Sequence, residues 1–170
     1  MMEGYACLLD TTVFQEETQE SIVPDACPDI GRVLCTQARA QLRAKESVEG
    51  KVEGEGSIAV TVVYLPEGED GPRKLSLSIP FRVSVAAAGI VPGCPVVVKP
   101  WVTGVETRVL NPRKVLCRVE LAPALAGLGP RGKHPDGDMV GRRVSPGTAH
   151  GGGGSLRRCF GIGKGVCLYG

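Results

Sequence analysis

Alternating apolar and polar residues mark the clearest strand of the chain, residues 75–85 (LSLSIPFRVSV). Apolar side chains take every second position there: Leu75, Leu77, Ile79, Phe81, Val83 and Val85. A period of two residues is typical of a strand with one buried face. Pro80 falls on the polar phase and cannot donate a ladder hydrogen bond, so the pattern predicts a sheet edge or a bulge at that position.

The same period predicts two hairpins. Residues 57–64 alternate in the same way, and the acidic, turn-rich loop 66–72 joins them to residues 75–85. Residues 96–109 form another predicted strand, and a Leu-Asn-Pro-Arg turn returns the chain into residues 114–121. Long antiparallel hairpins are therefore the expected building blocks of the fold.

Two earlier segments are less regular. Residues 33–49 are rich in good helix formers, but polar residues alternate there with Ala and Leu, and we interpret the segment as a strand. Residues 21–34 are expected to form a turn or one helical turn. Pro28 suits the first helical position, and Asp29 suits the positive end of a short helix.

These elements predict an all-β fold. We expect an antiparallel β-sandwich-like domain of long hairpins over residues 8–122, preceded by an N-terminal extension at residues 1–7. Residues 123–170 are expected to be a disordered, Gly/Arg-rich tail. Residues 127–170 hold 14 of the 24 glycines, with seven basic and two acidic residues. An equally weighted alternative is an out-of-frame translation of a GC-rich gene.

Candidate catalytic chemistry is sparse. The seven cysteines are widely spaced and make no CxxC pair, which argues against a zinc site and favours reduced thiols packed as small apolar residues. Both histidines, His134 and His150, fall in the predicted tail, so a cysteine or serine nucleophile has no histidine base in the predicted domain. We therefore predict no catalytic residues, no metal site and no cofactor, and a protein that is not an enzyme.

One loop is the candidate interaction site. The segment VPDACPDI places Pro24, Asp25, Pro28, Asp29 and Ile30 close together. Its two carboxylates could serve a binding surface, but helix capping and turn geometry around the prolines account for them more simply. An acidic strip is interpreted as a solvated strand face, with an interface as the alternative; its residues are Glu46, Glu49, Glu53 and Glu55.

Several segments together resemble the SPOCS domain family of SipL-like spore-coat morphogenetic proteins. They are IVPDACPDIGRVL at 22–34, VEGKVEGEGSIAVTVVYLPE at 48–67, LSIPFRVSV at 77–85, VPG at 91–93 and LNPRKVLCRVEL at 110–121. Their order and spacing agree with the family pattern over residues 8–122. The family usually has Asn-Gly-Arg-Lys at the turn where this chain has Asn111-Pro112-Arg113-Lys114, a change that a hairpin tolerates.

The resemblance implies a non-enzymatic structural or interaction module of endospore coat or envelope assembly. The implied location is the mother-cell cytosol at the forespore surface. The implied partners are spore-coat morphogenetic proteins, the coat-basement ATPase among them, and other SPOCS copies. The family usually continues into a LysM domain, but the predicted tail shows no LysM periodicity, so we do not carry over the partner binding that LysM provides. No specific nucleic-acid binding is expected, and the sequence shows neither a signal peptide nor an apolar run long enough to span a membrane.

Two alternatives remain open. The frequent partnership with LysM suggests a cell-wall glycan-binding accessory module, in which Trp101 and Tyr64 would stack on sugar rings. Both residues fall on apolar strand phases, however, and are predicted to be core residues. The other alternative is a truncated gene product without activity.

Overall fold

The computed structural model describes residues 4–68 and 70–131. These residues form nine β-strands and no helix. The strands are β1 (Tyr5–Thr12), β2 (Gln15–Ile22), β3 (Ile30–Val48), β4 (Lys51–Pro66), β5 (Arg73–Ala86), β6 (Val96–Lys99), β7 (Val102–Asn111), β8 (Lys114–Leu121) and β9 (Ala124–Pro130). Every strand pairing is antiparallel.

The strands form three sheets of three. The long sheet has the order β3-β4-β5; the β9 sheet has the order β1-β9-β6, and the β8 sheet has the order β2-β8-β7. The β9 sheet and the β8 sheet are continuous, because each strand of one leads into a strand of the other. The two-residue links are 13–14 between β1 and β2, 100–101 between β6 and β7, and 122–123 between β8 and β9. Backbone bonds cross the links, Val13 N to Pro123 O at 3.0 Å among them. The two small sheets are therefore one layer that bends at the links.

Two apolar clusters join this bent layer to the long sheet. One fills the space between the long sheet and the β8 sheet, with Ile58, Val60, Val62, Tyr64, Val115, Cys117, Val119 and Leu121 among its buried residues. The other fills the space between the long sheet and the β9 sheet, with Val52, Val83, Ile90, Val98 and Leu125. The all-β, antiparallel, sandwich-like prediction is thus confirmed.

The predicted hairpins and strands are largely confirmed. Strands β4 and β5 pair along their whole length, as do β7 and β8, and residues 33–49 lie in β3. Pro80 lies in β5, an edge strand of the long sheet, and pairs with Ser57 without a register shift. The edge alternative is therefore correct, and the bulge alternative is wrong.

The predicted domain limits are wrong at both ends. Strand β9 follows residue 122, and β1 begins at Tyr5, inside the predicted extension 1–7. The alternation in β9 is hard to see in the sequence, because its inward positions include Gly127 beside Leu125, and its outward positions include Ala124. The predictions for residues 132–170 lie outside the described residues.

Two local predictions are also corrected. Residues 96–109 are not one strand, because Pro100 and Trp101 link β6 to β7 in a different sheet. That link leaves Trp101 61% exposed, whereas Tyr64 is buried as predicted. Residues 21–34 contain no helical turn; they end β2, form a loop and begin β3 at Ile30.

Candidate functional site

The loop from Val23 to Asp29 connects β2 to β3 at one end of the sandwich. Buried side chains anchor it at both ends, Val23 as its first residue and Ile30 directly after it. Within it, Cys27 N donates a 2.8 Å hydrogen bond to Pro24 O, which closes a tight turn. Between its two anchors, the loop stands at the surface in a defined conformation.

One guanidinium group organises this loop. Arg113 Nη1 donates to Cys27 O at 2.7 Å and to Asp29 Oδ1 at 3.0 Å. Arg113 Nη2 donates to Val23 O, Pro24 O and Asp25 Oδ1 at 3.1, 3.0 and 3.3 Å. The planar guanidinium group of arginine can donate several hydrogen bonds at once to carbonyl and carboxylate oxygens. We call the loop from Val23 to Asp29 together with Arg113 the Arg113 clasp.

The hairpin turn between β7 and β8 aims Arg113 at the loop. Asn111 Oδ1 accepts a 2.8 Å hydrogen bond from Arg113 N, an Asx-type turn in which Pro112 supplies a fixed backbone angle. The turn also bonds to the loop directly, since Val23 N donates to Arg113 O and Ile30 N donates to Pro112 O. The Asn-Pro-Arg sequence therefore keeps the predicted hairpin and positions the clasp residue.

A third loop supports the clasp from the long sheet. The buried Tyr64 donates its hydroxyl to Pro28 O at 2.9 Å, and Glu67 N donates to Asp29 O at 3.0 Å. Hydrogen bonds from two separate hairpins thus fix the backbone of the loop. This gives a rigid surface feature of the kind that binds with little ordering cost.

The predicted interaction residues are brought together with one exception. Pro24, Asp25 and Asp29 are exposed and Pro28 is half-buried, whereas Ile30 is 3% exposed and belongs to the core. Ile30 is therefore wrong as a surface contact, because its side chain points into the sandwich. The helix-capping explanation of Asp25 and Asp29 is also wrong, since no helix begins there. The binding role of the other four residues stays a prediction.

Arg113 is the residue that the sequence reasoning missed. Its partners lie 84 to 90 residues earlier in the chain, so local pattern could not reveal the contact. A signal was nevertheless present. Two carboxylates in one short loop repel each other unless a cation or water stabilises their charges. The turn before residues 114–121 carries an arginine that could supply the opposite charge.

The acidic strip on β3 and β4 is partly neutralised. Glu53 pairs with Lys51 at 2.6 Å, and Glu55 pairs with Arg82 at 3.1 Å. The hydrogen bond from Lys51 is the main reason that the pKa of Glu53 lies below its ordinary value of 4.5. These contacts fit a solvated strand face with one ion pair within β4 and one between β4 and β5.

The described side chains offer little catalytic chemistry. Burial raises the pKa of the Cys117 thiol above its ordinary value of 9.0, with the Thr107 hydrogen bond opposing, so Cys117 is not an activated nucleophile. Cys7, Cys27, Cys94 and Cys117 are free thiols. Within residues 4–68 and 70–131, no group of three or more His, Cys, Asp or Glu side chains is placed to hold a metal ion, and no helix is long and apolar enough to cross a membrane.

Comparison with known proteins gives one match. Neither a curated protein nor a solved structure matches the chain. Residues 29–110 match the family model described as "SipL, SPOCS domain". The match begins at the last residue of the clasp loop and runs through β3 to near the end of β7, and the remaining strands complete the same two layers. Residues 29–110 therefore belong to the SPOCS domain family.

Proposed function

We propose that this protein is a non-enzymatic interaction module of endospore coat or envelope assembly, acting by protein–protein binding. The SPOCS domain match supports a sporulation-related role. A stable two-layer scaffold that presents a fixed loop supports binding as the activity. The described residues hold neither of the two histidines, and the buried Cys117 thiol stays protonated at neutral pH, which fits a role without catalysis.

The Arg113 clasp is the observation that carries the proposal. Arg113 gives five hydrogen bonds to one loop, so that Pro24 to Asp29 is ordered before a partner arrives. Asp25 is fully exposed and uses one oxygen for Arg113, which leaves its second oxygen facing solvent. A partner that offers backbone N–H groups or a basic side chain suits this acidic loop.

The proposed partners are spore-coat morphogenetic proteins, with the coat-basement ATPase among them, and the proposed place of action is the mother-cell side of the forespore surface. These assignments rest on what the SPOCS family implies. Because residues 29–110 match the SPOCS domain model, this domain itself would supply the contact surface. The clasp loop is the surface we assign to that contact.

A pull-down tests the proposal directly. The full chain, immobilised through an added tag, is exposed to lysates of sporulating and of vegetative cells of an endospore-forming bacterium, and bound proteins are identified by mass spectrometry. We expect spore-coat proteins to be enriched from the sporulating lysate. Recovery of the same proteins by an unrelated β-sandwich bait, or no enrichment over the vegetative lysate, contradicts the proposal.

One observation favours a second candidate function, the binding of cell-wall glycan. Trp101 is exposed on the surface and not in the core, and exposed aromatic rings stack on sugars. Sedimentation with purified peptidoglycan tests this candidate. If the chain binds glycan, the wild type should co-sediment with peptidoglycan and Trp101→Ala should not. A wild-type chain that stays in the supernatant excludes glycan binding.

A further inference from the structure

The outer face of the β9 sheet is unusually apolar for a surface. Outward positions alternate with inward ones along its strands, and they carry three of the large apolar side chains that are exposed in the described residues, with two more in the links at the bend. These are Tyr5 and Leu128 at one end, Val97 in the middle, and Phe14 and Trp101 at the bend. Phe14 is 81% exposed. Contiguous exposed apolar surface of this kind marks an interaction site.

Small residues line the centre of this face. Ala124 and Ala126 are the outward residues of the central strand β9, and each lies between outward residues of β1 and β6. Because alanine projects so little, another flat surface can approach the middle of the sheet closely. The larger side chains at the two ends then border the contact.

The two charged side chains on this face lie on opposite edge strands. Asp10 on β1 shares a row with Ala126, and Lys99 on β6 shares the next outward row with Ala124. A two-fold axis parallel to β9, placed between two such faces, brings β1 of one copy over β6 of the other. Asp10 of each copy then lies one row, about 7 Å, along from the other copy's Lys99, a distance that a lysine side chain spans.

We propose that the outer face of the β9 sheet docks on the same face of a second copy of this chain. The contact is isologous: each copy offers the same apolar patch, and the Asp10–Lys99 pair forms twice. This inference is independent of the Arg113 clasp, which lies at the far end of the β8 sheet, away from the bend.

The size of the face sets the strength of the contact. Ten outward positions lie on the three strands, and Phe14 and Trp101 lie at the bend; at about 4.8 by 7 Å each, these positions cover roughly 400 Å² in projection. That is about half of the ~800 Å² that each partner contributes to a standard interface. The dimer is therefore weak, with association in the micromolar to millimolar range, and it suits assembly at high local concentration.

Sedimentation velocity of the full chain tests the proposal, in reducing buffer so that the exposed Cys7 on this face stays a thiol. We expect a shift from monomer to dimer between about 10 μM and 1 mM. Ala126→Arg should abolish this shift to dimer, because it places a long charged side chain at the centre of the face. The matched control is Ala59→Arg, an exposed alanine on the central strand of the long sheet, which should dimerise like the wild type.

Charge exchange tests the geometry. Asp10→Lys and Lys99→Asp should each weaken dimerisation about tenfold, because each variant places like charges together. An equimolar mixture of the two variants should dimerise again, because both cross-contacts then join Lys to Asp. A mixture no better than the single variants overturns the two-fold arrangement.

The single tryptophan reports on the face itself. Trp101 emission should shift to the blue as the wild-type chain dimerises, and it should not shift in Ala126→Arg. A wild type that is monomeric at every concentration overturns the proposal. Dimerisation that is unchanged in Ala126→Arg also overturns the proposal. A blue shift that appears only when a peptidoglycan fragment is added overturns it as well.

Discussion

Arg113 Nη1 donates a hydrogen bond to the carbonyl oxygen of Cys27 at 2.7 Å, across 86 residues of sequence. This contact joins the turn of the β7–β8 hairpin to the loop between β2 and β3. The same guanidinium reaches two carboxylates and two further carbonyls, so one side chain holds a loop that has no regular structure of its own. The shape of the proposed binding surface depends on this residue.

Arg113→Ala should destabilise the protein by about 2–3 kcal/mol, because it removes charge-assisted hydrogen bonds to several loop acceptors at once. Arg113→Lys should recover less than half of that loss, since an ammonium group cannot match the planar fork. Urea denaturation measures both free energies of unfolding. Arg82→Ala is the control: its exposed pair with Glu55 should cost less than about 1 kcal/mol. Equal losses in the two alanine variants contradict the role of the clasp.

Gly56 is required by its neighbours, and its replacement should be costly. A Cβ atom there would collide with the backbone oxygen of Gln41 and lie 2.8 Å from Phe81 Cε1, because Phe81 lies across Gly56 in the adjacent strand. We expect Gly56→Ala to cost about 2–3 kcal/mol. Gly104→Ala meets only the mobile carboxylate of Glu120, and it should cost less than about 1 kcal/mol. Thermal unfolding compares the two, and a milder effect at Gly56 would show the account of this contact to be wrong.

A buried hydroxyl pair links the two layers of the sandwich. Thr36 Oγ1 donates to Thr107 Oγ1 at 2.9 Å, and Thr107 also contacts Cys117 Sγ at 3.5 Å. Thr107→Val should cost about 1–2 kcal/mol because it leaves the buried Thr36 hydroxyl unsatisfied, and Thr36→Val should cost less because Thr107 keeps the cysteine. The double variant should lose less than the sum of the two. Additive losses in this double-mutant cycle would show that the hydroxyls are not coupled.

Cys117 should make stability depend on pH in the alkaline range. Burial raises its pKa in the folded protein above the ordinary 9.0, so the unfolded chain loses the thiol proton first. The stability that the protonated Cys117 thiol contributes to the folded protein is therefore complete below about pH 9. It declines as the pH rises towards the pKa of Cys117 in the folded protein. In denaturation curves from about pH 8 to 10.5, Cys117→Ala should lose less stability with rising pH than the wild type. Cys7→Ala, at an exposed thiol, should follow the wild-type slope, and identical slopes in all three proteins contradict the assignment.

The sequence predicts the parts of this fold in which burial follows a period of two. Strand β8 is the clear case, because Val115, Cys117 and Val119 alternate with polar or half-buried residues and all three are buried. Strand β9 does not show the pattern, since glycine takes two of its inward positions and alanine takes two of its outward positions. The sequence pattern places Trp101 in the core, because nothing local shows that the Pro100 link moves the chain into another sheet.

The sequence indicates the loop of the candidate site but not the arginine that orders it. Two prolines and two aspartates in eight residues mark an ordered, acidic loop, and Asp25 and Asp29 are exposed there. The residue that orders them comes from a turn more than 80 residues later, and only the antiparallel pairing of β2 with β8 brings the two together. Long-range pairing of this kind leaves no local signal in one sequence.

Pull-downs with charge-reversed baits test whether the clasp loop binds spore-coat proteins. The wild-type chain, Asp25→Lys and Glu46→Lys are immobilised at equal density and exposed to the same sporulating-cell lysate, and bound coat proteins are quantified by mass spectrometry. Asp25 lies in the clasp loop, whereas Glu46 is an exposed acidic residue on β3, so the control changes net charge equally. We place the contact at the clasp loop, and we therefore expect Asp25→Lys to lose about tenfold of the recovered coat protein while Glu46→Lys retains it. Equal recovery by Asp25→Lys and the wild type would contradict it.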